Sequence, residues 1–73
     1  MDLAGIAARL EAEEKLMLKY RVQVAQGDHV DWVVRTDRLL DVAEDRGILY
    51  VELDGSPVWI DKAEAIEVYT VEP

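Results

Sequence analysis

The sequence predicts an α+β domain, in which one N-terminal helix precedes a small antiparallel barrel of five strands. Three observations lead there. Leu3, Ile6, Ala7 and Leu10 recur at the helical spacing i, i+3, i+4, i+7. At Leu16 the apolar period drops to two, the period of a strand half-buried in a sheet. From there to Val71, turn-forming residues divide the chain into short apolar runs.

The helix is expected over 2–14. Asp2 stands at the N-cap position, where a carboxylate accepts from a free backbone N–H of the first turn, and the interior is rich in Ala, Leu, Arg and Glu. Gly5 weakens the first turn slightly. The first strand, "LMLKYRVQV", puts Leu16, Leu18, Tyr20, Val22 and Val24 on one face. "QGD" at 26–28 turns the chain, and "HVDWVVR" alternates again. This reading sends Val30, Trp32 and Val34 inward, with Trp32 in the core, and His29, Asp31, Val33 and Arg35 outward.

Residues 36–47 admit two readings. Thr36 caps a single helical turn holding Leu39, Leu40 and Ala43, or the second strand bends and runs on to a turn at "EDRG". "ILYVEL" is the third strand, "PVWI" the fourth and "IEVYTV" the fifth, with "DKAEA" a short turn before it. The β region then spans 16–71 of a single domain, 1–73. Five short strands laid flat expose two long edges that invite pairing with other chains. Closure into an Sm-like or SH3-like barrel is therefore expected, with an open antiparallel sheet backed by the helix as the alternative.

Asp54-Gly55 is the strongest hairpin signal in the chain. A two-residue loop there makes Leu53 face Ser56, Val51 face Val58, Leu49 face Ile60, and Tyr50 face Trp59. Leu49, Val51, Leu53, Val58 and Ile60 form the core set. Tyr50 and Trp59 then pair on the other face, to support the hairpin, to meet the helix or to meet a partner.

Composition narrows function. About half the residues are hydrophobic, which suits a compact domain, and there is no Cys for a disulfide or a thiolate zinc site. The apolar runs are too short for a membrane span or a signal-peptide core, so a cytoplasmic protein is expected. The formal charge is −8, and it is uneven: −1 over residues 1–36 and −7 over residues 37–73. Such a surface repels phosphates, which argues against direct nucleic-acid binding by that half; it serves solubility or suits a basic partner. Lys19 and Arg21, with Arg35 across the first hairpin, form only a small basic strip. The single His, His29, stands beside Asp28 and Asp31 but lacks further ligands nearby. There is no P-loop, dinucleotide fingerprint, nucleophile elbow or HExxH. Neither an enzyme, a cofactor nor a metal is expected.

"KLMLKYRVQVAQGDHV" and "ILYVELDGSPVWIDKAEAIEV" together resemble the Rho-binding antiterminator (Rof-like) family, small acidic bacterial proteins with a helix ahead of an Sm-like barrel. The resemblance implies a protein that binds transcription machinery, Rho or RNA polymerase, and masks its nucleic-acid surface with acidic groups. The expected partner-binding residues are Glu11, Glu13 and Glu14 on the helix and Asp41, Glu44 and Asp45 in the connection, with Tyr50 and Trp59 as apolar anchors. The acids are otherwise a solvated face. Alternatives are a phage-encoded inhibitor of host RNA polymerase, an RNA-binding Sm-like barrel, and an immunity-type or structural accessory protein.

Overall fold

A computed structural model of the chain describes residues 1–71. Helix α1, Leu3–Glu11, begins at Asp2, whose Oδ1 accepts from the Gly5 N–H at 3.1 Å. A Cβ at position 5 would collide with that carboxylate, so the glycine and the cap go together. The helix ends earlier than its residue types suggest. Glu13 takes the left-handed conformation at φ 63°, and the Glu14 N–H returns to the Arg9 carbonyl, which closes the last turn.

Five strands follow: β1 Leu16–Gln26, β2 His29–Ala43, β3 Ile48–Leu53, β4 Ser56–Asp61 and β5 Ala65–Thr70. Short 3-10 turns at Glu44–Arg46 and Lys62–Glu64 join β2 to β3 and β4 to β5. The strands form an open antiparallel sheet in the order β4-β3-β2-β1-β5, backed by the helix. Among the described residues no ladder joins the outer strands β4 and β5, so the open sheet is the architecture present.

Thr36 caps no helical turn: the fifteen-residue β2 continues through 36–43 to the 3-10 turn at Glu44–Arg46, within "EDRG", and changes ladder on the way. Its first part, to Arg38, pairs with β1; from Leu39 it pairs with β3, with the register shifting between Leu39 and Asp41. An extra residue on one strand bends it and increases its twist. The Asp54-Gly55 turn is as expected: both residues have positive φ, and Tyr50 faces Trp59.

The first hairpin corrects the sequence reading. Its loop is Gly27-Asp28 alone, and Gln26 belongs to β1 opposite His29. A three-residue turn at 26–28 would have set Val22 opposite Trp32 and Tyr20 opposite Val34. The shorter loop sets Val22 opposite Val33 and Tyr20 opposite Arg35. One residue of slip exchanges the faces of a strand. Trp32 is consequently not core: it is 50% exposed, and Val30 and Val34 are exposed with it. Arg35 lies on the inner face, not beside Lys19 and Arg21; Arg38 takes its place on the outer one.

Leu3 and Ile6 of α1 pack on Leu16, Leu18, Tyr20, Leu39, Leu49, Val51 and Ile60 to make the core. Leu53 and Val58 are half-buried. At the border of this core the buried Tyr20 hydroxyl donates to Asp37 Oδ2 at 2.5 Å, and Arg35 Nε donates to the same oxygen at 3.2 Å. Burial, and then the bond to Asp37, push the Tyr20 phenol above its ordinary value of 10.0. The folded chain holds this proton more tightly than the unfolded chain, so the contribution is complete below about pH 10 and lost as pH rises through the raised folded value. Urea unfolding of the wild type should therefore lose stability above about pH 10 more steeply than Tyr20→Phe does. At neutral pH the substitution should cost about 1.5–3 kcal/mol, the range for a hydrogen bond to a charged group.

Candidate functional site

The bend in β2 builds a groove. Leu39 turns in against Val51, the ladder is interrupted at Leu40, and Asp41 comes up opposite Tyr50. Between this segment, the 3-10 turn after it and α1 lies an open hollow of about 620 Å³, with Leu10 and Leu40 among its apolar lining. Glu11, Asp41, Glu44 and Asp45 line it too, and no basic side chain does. Asp41 is committed only to the neighbouring Val42 N–H, at 2.8 Å. Among the described residues the ion pairs lie elsewhere: Arg9 with Glu14, Arg21 with Glu64, and Arg35 with Asp37. Four carboxylates without an ion-pair partner around an apolar floor attract cations and repel anions.

The register carries this surface across the sheet. Asp41, Tyr50 and Trp59 occupy one row over β2, β3 and β4. Trp59 is 63% exposed, so α1 does not cover it. Beyond it is a second hollow, of about 490 Å³, lined by Trp59 and Trp32 with Val22 and Ile60 between. Arg21 is fixed at its side. Its Nε donates to Glu64 Oε2 at 2.6 Å, and its guanidinium carbon sits 4.5 Å from the centroid of the Trp32 ring. Such a cation–π contact is worth about 0.5–1 kcal/mol at an exposed site.

Four of the eight residues selected from sequence fall together in the groove: Glu11, Asp41, Glu44 and Asp45. Tyr50 and Trp59 do not line it, but follow Asp41 across β3 and β4 in the same row. Glu13 and Glu14 do neither. The left-handed residue at the end of α1 takes them to an adjoining hollow, which shares Leu10 and Leu40 with the groove but is also lined by Lys15 and Arg38, and there Glu14 accepts from Arg9 Nε at 3.3 Å. Sequence reasoning missed Leu10 and Leu40 as the groove's apolar lining, and Trp32 in the second hollow. A two-residue loop at Gly27-Asp28 would have been the signal for Trp32.

His29 Nε2 lies 3.6 Å from Asp31 Oδ2, with both side chains exposed. Among the described residues no cluster of three or more His, Asp or Glu is placed to hold a metal, and no helix is long and apolar enough to cross a membrane.

Fold and surface define a small acidic α+β domain whose most concentrated feature is a carboxylate-rimmed groove continued by an aromatic row. The chain matches no known family, no characterised protein and no solved structure.

Because Trp59 packs on the surface, Trp59→Ala should cost no more than about 1 kcal/mol, the loss of a cross-strand pair. Leu18→Ala, in the core, should cost about 2–5 kcal/mol. Urea unfolding of the two variants separates a surface anchor from a core residue.

Proposed function

We propose that this protein is a non-enzymatic acidic binding module that docks on the basic, nucleic-acid-binding surface of a larger protein of the bacterial transcription machinery, Rho or RNA polymerase, and masks it. The observation that carries this reading is the groove in which Glu11, Asp41, Glu44 and Asp45 surround Leu10 and Leu40 with no base among them. The net charge of −8 supports it, as does the resemblance of the strand pattern to Rho-binding antiterminators. Carboxylates in the groove take the place of phosphates opposite the partner's Lys and Arg. Leu40, Tyr50 and Trp59 supply the apolar area that charge alone lacks. The module acts in the bacterial or phage-infected cytoplasm. Direct RNA binding on the outer face of β1 is the weaker reading, since Lys19 lies opposite Glu67 and Arg21 bonds Glu64.

Capture from bacterial lysate on the immobilised chain tests this. Rho or polymerase subunits should be retained at low salt and lost progressively as the Debye length falls from about 10 Å at 0.1 M toward about 3 Å at 1 M. Asp41→Asn, Glu44→Gln and Asp45→Asn combined should weaken capture roughly tenfold, within what three exposed ion pairs of ~0.2–1 kcal/mol supply. Recovery of RNA alone, abolished by reversing Lys19 and Arg38, would overturn the proposal.

A further inference from the structure

The hairpin of β1 and β2 projects beyond the rest of the sheet and leaves one edge of β2 bare. β3 pairs with β2 only from Leu39 onward, so His29–Arg38 have β1 on one side and no strand on the other. Gln26 and His29 close the two-residue loop, which makes them a hydrogen-bonded pair. Alternation then aims the backbone groups of His29, Asp31, Val33 and Arg35 at β1. Those of Val30, Trp32, Val34 and Thr36 point to the open side. Natural sheets blunt such an edge with proline, charged side chains (lysine above all) or a bulge; the two charges on this one, Asp31 and Arg35, are of opposite sign and so can match those of a second strand. Val30–Thr36 contain no proline or lysine, their pairing with β1 is regular, and Val30, Trp32 and Val34 are all exposed.

We infer that this edge is a self-association surface, on which β2 of a second copy of this chain pairs antiparallel about a two-fold axis at Val33. Charge complementarity selects that register. Only registers that match the outward backbone groups of one copy to those of the other can form a ladder. The one centred on Val33 sets Trp32 opposite Val34 and Val30 opposite Thr36, and it sets Asp31 opposite Arg35 twice over. Shifting the centre to Val34 brings Asp31 against Asp37, and shifting it to Trp32 brings His29 against Arg35. On the inner face Arg35 already holds its own Asp37, and the second copy's Asp31 completes a carboxylate pair around one guanidinium. The paired segment stops at Thr36, short of the first β3 contact at Leu39.

Sedimentation equilibrium from micromolar to submillimolar concentration reads the association. The wild type should form a reversible dimer. Val34→Pro removes an edge donor without touching the ladder to β1, and Asp31→Lys sets like charges opposite Arg35. Each should raise the dissociation constant at least tenfold while circular dichroism stays unchanged. Arg35→Glu should also be monomeric, yet mixed with Asp31→Lys it should form a mixed dimer, because the two substituted positions then attract in reversed sense while the other pair is the native Arg35 with Asp31. A wild type monomeric throughout, a dimer indifferent to Val34→Pro and Asp31→Lys, or two charge variants that fail to combine would each overturn the inference.

Discussion

Everything in this fold depends on one strand belonging to two ladders. β2 enters beside β1 and leaves beside β3, and the change is made at Leu39, which is buried against Val51. Bending there lets a chain of 73 residues wrap two short ladders around a single core, with α1 supplying Leu3 and Ile6. A small domain has little apolar surface to bury and gains by curling its sheet. The bend also has a consequence on the outside. A strand that shifts register between Leu39 and Asp41 turns Leu40 and Asp41 out beside α1, and the groove is the space left at that corner.

Where apolar packing runs out, polar packing takes over. Tyr20 is 1% exposed, but its cross-strand neighbour is Arg35, and Asp37 stands between them. A buried hydroxyl with no acceptor would cost more than the bond itself contributes. Among the described residues no buried side-chain polar atom lacks a partner. The trio therefore marks the edge of the core along β1 and β2. Beyond it toward the Gly27-Asp28 loop, β1 and β2 are exposed apart from the half-buried Val22 and Val33. The same trio keeps Arg35 off the outer face, leaving Lys19, Arg21 and Arg38 as its bases.

Much of this was legible because period and turn chemistry are local. The switch of period at Leu16 and the Asp54-Gly55 loop were enough to locate β3 and β4 and to pair Tyr50 with Trp59. Gly27-Asp28 is an equally short loop, but the polar residues around it also suit a three-residue turn, and both faces of β2 carry valines. Apolar alternation does not reject the wrong register there, and that register puts Trp32 on the wrong face. Nor does periodicity reveal where a long strand changes partners. Asp41, Glu44 and Asp45 could be selected as exposed acids, whereas their meeting with Glu11 follows from a bend that only tertiary packing sets. Glu13 and Glu14 differ again: their helix-forming types hide a backbone that turns left-handed at Glu13.

The acidic groove and the bare edge lie at opposite ends of the same strand, and this arrangement joins the two proposals. Pairing through Val30–Thr36 uses none of the groove, whose β2 contribution begins at Leu40. A two-fold pair then carries two grooves on one rigid sheet continued through both copies. Each groove alone offers exposed charges and a small apolar floor, which associate fast and dissociate fast. Under both proposals, two held at fixed separation would make the second contact intramolecular, so a larger protein with repeated basic sites would be bound more tightly without any new interaction.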